Sequence, residues 1–296
     1  MMLSILIPTY NYNAFSLVEE LNNQALATGI KYEIIVLDDG SNYFLKENQK
    51  INELDNCSLN ELSQNIGYSK IRNVLAKKAK YDWLLFLDSD TFPRSSSYIS
   101  NYIKLITKNK KVVFGGIEYP KNKPENDKLL RWKYGKKREV SSLSNRIKKP
   151  YNSVFVYNFL IEKTIFSSIL FDEKIKKYGY EDFMFIQNLK LKNINIYHCE
   201  NTVFHLNSDT SDVFLTKTRT ALKTLQFLFE NQNIFYIETK ITKTYNILYR
   251  LKLVATISRL FQKHQNKLET NLKSKKPSLF ILDLYKIGYF CLINTK

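Results

Sequence analysis

Three short, mostly apolar runs that each stop on polar residues constrain this chain more than any other feature. Residues 3–7 (LSILI) end at Pro8, residues 32–37 (YEIIVL) end at Asp38, Asp39 and Gly40, and residues 83–87 (WLLFL) end at Asp88, Ser89 and Asp90. Near-continuous apolar runs of this length suit strands buried on both faces of a parallel sheet. Between the first two, Phe15, Val18, Leu21 and Leu26 fall near helical spacing, and a further helix is predicted over about residues 69–80. The pattern reads as successive β-α-β units. In open sheets of this kind ligands bind beyond the carboxyl ends of the strands, so the polar endings mark one candidate site.

The ending at residues 88–90 carries the clearest chemistry. Positions two apart on an extended chain share a face, so Asp88 and Asp90 can point the same way. Two close carboxylates repel unless one takes up a proton or a cation lies between them. Mg²⁺ or Mn²⁺ meets that need, because hard cations accept one or two carboxylates together with substrate phosphates. An Asp-x-Asp pair on its own also fits a solvated turn.

Further along, residues 112–117 are predicted as another strand, and regular structure resumes over 154–161, with helices around 164–168 and from Tyr180 or Glu181 onward. Residues 119–151, rich in Lys, Asn, Pro and Ser with Trp132 and Tyr134 among them, read as a long mobile loop able to close over substrate, or as a plain surface insertion. After Asp212 the pattern is helical almost throughout, with no internal repeat of solenoid period. A catalytic domain over residues 1–210 and a basic helical extension over 211–296 follow.

Taken together, Ile5-Leu6-Ile7-Pro8-Thr9-Tyr10-Asn11, Glu33-Ile34-Ile35-Val36-Leu37-Asp38-Asp39-Gly40-Ser41, Asn65-Ile66-Gly67 with Arg72-Asn73, and Phe86-Leu87-Asp88-Ser89-Asp90 closely resemble the inverting glycosyltransferases of family 2. Phe171-Asp172-Glu173 and Gly179-Tyr180-Glu181-Asp182 extend the resemblance, which covers about residues 3–205. It implies a GT-A-type α/β fold with a mostly parallel central sheet. It also implies a metal-dependent transfer of a sugar from a nucleoside diphosphate sugar, a UDP-sugar by family habit, onto a surface polysaccharide or lipid-linked glycan.

The resemblance also implies roles. Pro8, Thr9 and Tyr10 would meet the nucleotide, Asp38 or Asp39 would accept a hydrogen bond from base or ribose, and Arg72 would face the diphosphate with its planar fork. Asp88, Ser89 and Asp90 would lie at the donor phosphates, with Asp88, Asp90 and His205 as ligands of Mn²⁺ or Mg²⁺. Asp182, with Glu181 beside it, would take the acceptor proton. Tyr157-Asn158-Phe159-Leu160 matches a segment near the donor or acceptor sugar. Each has a plainer reading: a strand-ending turn, an exposed helix Arg, acids at a helix N-terminus, a structural His, a buried strand.

Net charge is +17, from 45 basic and 28 acidic residues, and residues 216–296 hold 15 Lys/Arg against four Asp/Glu. That extension carries no zinc-finger spacing, RNA-recognition signature or helix-turn-helix pattern, which argues against nucleic acid and for an anionic membrane surface as partner. Ile247, Leu251, Val254 and Phe261 predict one apolar stripe along a helix, and residues 278–293 are strongly apolar but interrupted by Asp283 and Lys286. Such segments suit lying in the membrane interface or packing on the catalytic domain better than spanning a bilayer. Cys57, Cys199 and Cys291 form no CxxC pair, which argues against a disulfide framework and a thiolate zinc site. The opening MMLSILIPTYN lacks a basic leader and a small-residue cleavage site. The expectation is a cytoplasmic protein, peripheral at the inner face of the cell membrane. Two rivals share parts of the pattern. A sugar nucleotidyltransferase would need a Gly-rich N-terminal Arg/Pro loop that is missing here, and a non-catalytic basic binding module would leave Asp88, Asp90 and Asp182 without a purpose.

Overall fold

The computed structural model describes residues 2–108, 110–152, 154–206, 209–231 and 239–295. It holds two compact units: Met1–Pro120, Arg138–Lys176 and Glu181–Leu206 form the first, and Lys121–Lys137, Lys177–Tyr180 and Asn207–Lys296 form the second.

The first unit is α/β. It begins β1 (Met2–Thr9), α1 (Phe15–Leu26), β2 (Lys31–Asp38), α2 (Leu45–Gln49), β3 (Cys57–Glu61), α3 (Tyr68–Lys78) and β4 (Trp83–Leu87). It continues through β5 (Thr91–Pro93), α4 (Tyr98–Thr107), β6 (Val112–Phe114) and β7 (Ile117–Glu118). The next helix, α5 (Leu129–Tyr134), belongs to the second unit. Then come α6 (Leu143–Lys148), β8 (Asn158–Glu162), α7 (Lys163–Ile169), α8 (Glu181–Leu191), β9 (Tyr197–His198) and β10 (Val203–His205).

Among the described residues one sheet has seven strands in the order β3-β2-β1-β4-β8-β6-β9. The pairs β3/β2, β2/β1, β1/β4 and β6/β9 are parallel, while β8 runs antiparallel to β4 and β6. Ile5 pairs with Ile34 on one side and Leu85 on the other, and all three are fully buried. Burial on both faces explains why these strands read as apolar runs. The register also sets Thr9 opposite Asp38, so the loops after β1 and β2 leave the sheet side by side.

Residues 112–117 differ from the single strand expected. The chain leaves the large sheet after Phe114 and enters a three-stranded sheet, β5-β10-β7, at Ile117. Gly115 and Gly116 make the step. A Cβ on Gly115 would lie 2.3 Å from the Asn201 carbonyl oxygen, and Gly116 adopts φ 88°, a conformation that side chains disfavour.

Residues 119–151 also depart from the expected loop, because α5 and α6 lie within them. Leu129 and Leu130 are buried, and Tyr134 packs on Phe214 at 5.2 Å between ring centroids. These apolar positions give the segment a helical face that its polar composition conceals.

The rest of the second unit is α9 (Ser211–Asn231), α10 (Lys240–Arg250), α11 (Val254–Leu272) and α12 (Leu279–Ile293). The continuous helical pattern expected after Asp212 includes residues 232–238, which lie outside the described residues. Leu130, Phe214, Leu215, Phe261, Leu272, Leu282 and Tyr285 form the core of this unit. Phe261 sits against Gly288, where an added Cβ would come within 2.6 Å of its ring. The single stripe expected through Ile247, Leu251, Val254 and Phe261 is broken, because Lys252 turns the chain at φ 57° between α10 and α11. Phe261 is buried while Ile247 and Leu251 are exposed. Among the described residues no helix is long and apolar enough to cross a membrane.

Candidate functional site

The loops that follow β1 and β2 are tied to each other. The Asp39 amide donates to the Thr9 carbonyl at 2.9 Å, the Asn11 amide donates to Ser41 Oγ at 2.6 Å, and Asn11 Oδ1 accepts from the Asn42 amide at 2.8 Å. Gly40 permits this crossing. It adopts φ 77°, and a Cβ there would meet the Gln64 carbonyl carbon at 2.9 Å. Thr9 is buried, with its hydroxyl donating to the Tyr12 carbonyl at 3.3 Å, whereas Tyr10 is exposed and Pro8 half-buried.

Asp38 and Asp39 hold different partners. Asp38 Oδ1 accepts from the Ser41 amide at 2.7 Å, and its buried Oδ2 has no hydrogen-bond partner among the described residues. Asp39 accepts the Ile66 amide at 2.7 Å and the Gly67 amide at 3.1 Å, one on each oxygen, and so anchors the turn that starts α3. Burial raises the Asp39 carboxyl above its ordinary range, and the two amides pull it back.

That turn presents Arg72. The side chain is 3% exposed; Nη1 donates to the Tyr68 carbonyl at 3.0 Å and Nη2 to Asp88 Oδ1 at 2.8 Å, with the guanidinium 5.6 Å from the Phe171 ring centroid. Burial works against its charge, yet Asp88, Asp182 and Glu181 outweigh burial and hold the guanidinium above its ordinary value. Asp88 is pushed up to about 6 by burial and by the charges of Asp90 and Asp182, against the pull of Arg72. Three carboxylates thus act on a single guanidinium, with Asp90 acting in turn on Asp88, and acids outnumber the base in the cluster. Next in helix α3, Asn73 Oδ1 accepts the Phe171 amide while its Nδ2 donates to the Phe171 carbonyl and to Glu173. The two motifs, about a hundred residues apart, are one structural joint.

After β4 the chain turns sharply, with the Asp88 carbonyl accepting from the Thr91 amide and hydroxyl, and Ser89 is half-buried in that turn. The antiparallel pairing of β5 with β10 then sets Thr91 opposite His205, and the Leu206 amide donates to the Asp90 carbonyl at 2.7 Å. The result brings Asp90 Oδ2 within 3.8 Å of His205 Nε2, too long for a hydrogen bond. His205 is buried, stacked on Tyr119 (5.4 Å, 28°) and edge-on to Tyr157 (5.2 Å, 67°).

Asp182 stands in the first turn of α8, where the helix dipole favours an acid. The Val156 amide donates to its Oδ2 at 3.1 Å, while its buried Oδ1 has no hydrogen-bond partner among the described residues. Glu181, beside it, is buried. Asn158, in the segment that runs on from Tyr157, is the hub of a buried polar network: its Oδ1 accepts from Tyr98 and Tyr102, and its Nδ2 donates to the Gly116 and Asn201 carbonyls. That places Asn158 in the frame and leaves Tyr157 against His205.

Arg72, Asp88, Asp90, Asp182, Glu181 and His205 therefore gather in one place. Sequence reasoning missed Tyr12, whose hydroxyl is held above its ordinary range by burial and by Asp90, and Tyr119. The only hint of Tyr12 is its position just past a strand ending.

The donor set can be tested against a divalent cation. Among the described residues no group of three or more His, Cys, Asp and Glu side chains is arranged to hold an ion, and one oxygen of Asp88 is engaged by Arg72. Asp90 and His205 approach each other at 3.8 Å beside the Arg72–Asp88 pair. This fits a cation that takes its remaining ligands from substrate phosphates, and does not fit a closed structural metal site.

Comparison with known proteins agrees with this architecture. The profile described as Glycosyl transferase family 2 matches residues 4–170. An uncharacterized glycosyltransferase of Haemophilus influenzae is 40% identical over 91 residues, which cover 30% of this chain and 29% of that relative. The crystal structure of S. aureus TarS superposes with a TM-score of 0.51 at 20% identity, over 97% of this chain and 55% of that chain. The mannosyltransferase PcManGT from Pyrobaculum calidifontis, in complex with GDP-Man and Mn²⁺, superposes with a TM-score of 0.52 at 11% identity, over 78% of this chain and 65% of that chain. This chain thus spans less than a third of the curated relative and about half of TarS. With more than half of its length matched by the family profile and its sheet shared with such enzymes, the chain belongs to glycosyl transferase family 2 and has a GT-A-type fold.

Proposed function

We propose that this chain moves a sugar, with inversion at the anomeric carbon, from a nucleoside diphosphate sugar to a hydroxyl of a surface polysaccharide or lipid-linked glycan, in the presence of Mn²⁺ or Mg²⁺. The observation that carries the reading is the meeting of Asp90 with His205 beside the Arg72–Asp88 pair. The GDP-Man and Mn²⁺ bound by the Pyrobaculum neighbour support a nucleotide sugar and a divalent cation as partners. A uridine base is expected from family resemblance. Pro8, Thr9, Tyr10, Asp38 and Asp39 would meet base and ribose, and Arg72, Asp88 and Ser89 the diphosphate. Catalysis falls to residues 1–210, and the extension over 211–296 serves the inner face of the cell membrane.

In this mechanism Asp182 is the base. The Val156 amide fixes Oδ2, leaving Oδ1 to accept a proton. As the acceptor hydroxyl oxygen bonds to the anomeric carbon, its proton passes to Asp182, the bond from that carbon to the diphosphate oxygen breaks, and the electron pair leaves with the nucleoside diphosphate. A cation bound by Asp90, Asp88 and His205 would supply charge stabilisation for the departing diphosphate. Arg72 stabilises the same charge with its buried, permanently protonated fork.

The test is donor turnover in Asp90→Ala, Asp88→Ala and His205→Ala, each titrated with Mn²⁺. Loss of metal-dependent turnover in the folded variants supports the reading. Full turnover in all three, or in excess chelator, would remove the metal from the account.

A further inference from the structure

We propose that the turn joining α10 and α11 is a docking edge for an anionic lipid leaflet. The inference rests on the membrane-facing role given to the extension, and names the residues that perform it. Residues 239–268 contain seven Lys/Arg and no Asp/Glu. One side of each helix is already used: Tyr245 of α10 packs edge-on against Phe290 at 5.2 Å, and Phe261 of α11 packs against Tyr285 at 5.2 Å. Away from those contacts the turn is apolar and open to solvent. Ile247 is 57% exposed, Tyr249 67% and Leu251 60%, and Leu253 and Leu260 are exposed as well.

The basic residues are interleaved with these. Arg250, Lys252, Arg259 and Lys263 are exposed and make no ion pair among the described residues. Three observations fix the occupant. Exposed aliphatic side chains at a turn gain by entering the acyl boundary, whereas a phosphate backbone offers them nothing. Long basic side chains beside them can lay their stems along that boundary and keep their charge among the headgroups. Among the described residues no helix is long and apolar enough to cross a membrane, and the proposed contact is one of lying in the interface.

The experiment is sedimentation of the full chain with vesicles of phosphatidylcholine alone or with about 30 mol % phosphatidylglycerol, at about 50 mM and about 500 mM salt. The intact chain should favour the anionic vesicles at least tenfold at low salt and lose most of that preference at high salt. Leu251→Ser with Leu253→Ser should weaken partition at least tenfold, and Arg250→Gln with Lys252→Gln by about fivefold per charge at low salt. Melting of both double variants and their donor hydrolysis without vesicles should match the parent. The proposal is overturned if the intact chain shows no anionic preference, or if both double variants bind like the parent. It is also overturned if only the charge variant loses binding and the intact chain binds single-stranded RNA equally well, since that marks a surface for any polyanion. Vesicle binding as described with no donor hydrolysis in any form would instead remove the transferase reading and leave the docking edge standing.

Discussion

Replacing Arg72 by Met removes the buried guanidinium that pairs with Asp88 and feels Asp182 and Glu181. The side chain is 3% exposed and bonded at 2.8 Å to Asp88, which keeps 27% exposure. Breaking a buried ion pair by removing one partner typically costs about 3–5 kcal/mol, because the remaining charge is left uncompensated. Asp88 retains some solvent, so the low end applies, about 3 kcal/mol. Spread over a 296-residue protein, with an unfolding entropy of about 2.1 cal/mol/K per residue, that corresponds to a fall in melting temperature of roughly 5 °C. Arg72→Lys keeps the charge but cannot reach the Tyr68 carbonyl and Asp88 with a planar fork, so its fall should be about half as large. Asp88→Asn alone should be mild, since Arg72 still faces Asp182 and Glu181. The double variant Arg72→Met with Asp88→Asn should recover about 1–2 kcal/mol relative to the sum of the singles. Calorimetric melting of the four proteins measures all of this. A melting point for Arg72→Met within about 2 °C of the parent, or strict additivity in the double variant, would refute the view that these carboxylates depend on Arg72.

Asp182→Asn keeps the size of the side chain but cannot take the proton. Transfer should fall by about 10²–10⁴ while donor KM stays near the parent value, as steady-state kinetics would report. Asn158→Leu strands the Tyr98 hydroxyl and the Asn201 carbonyl and leaves the Tyr102 hydroxyl and the Gly116 carbonyl only long contacts of 3.4 Å with the Asn158 carbonyl and the Val203 amide, so denaturant melts should register a loss on the order of 2 kcal/mol or more, at about 1–3 kcal/mol per stranded group. His198 is buried with Nδ1 lacking a partner among the described residues, and burial lowers it from its ordinary 6.5. The unfolded chain therefore binds more protons near that pH, and stability should decline as pH falls through 6.5 toward and below the depressed folded value. His198→Phe should flatten that part of the stability–pH curve.

The β-α-β core was legible because burial on both faces leaves nothing to alternate: Ile5, Ile34 and Leu85 stack across three strands and are read directly as apolar runs. The parallel register then guarantees that Thr9 and Asp38 emerge together, so a site at the strand ends follows from pattern alone. The approach of His205 to Asp90 was not legible from pattern. It depends on β5 and β10, three residues each, too short to show any period, and only resemblance pointed to His205. The Gly115–Gly116 step between sheets hid inside an apolar run, and α5 hid among lysines, because Leu129 and Leu130 find their partners in residues about a hundred positions away. At Asp38 and Asp39 the sequence shows two equal carboxylates. Backbone amides from a later loop make them different.

The central claim is that this site transfers a glycosyl group by direct displacement, and the anomeric outcome of donor hydrolysis tests it most directly. The full chain would be incubated with Mn²⁺ and a panel of uridine and guanosine diphosphate sugars, and nucleoside diphosphate release and the anomeric proton of the freed sugar followed together by NMR before mutarotation. The account predicts release from at least one donor, dependent on the cation, with the sugar first appearing in the anomeric configuration opposite to that of the donor. Release with retained configuration, or no release from any donor, would contradict it.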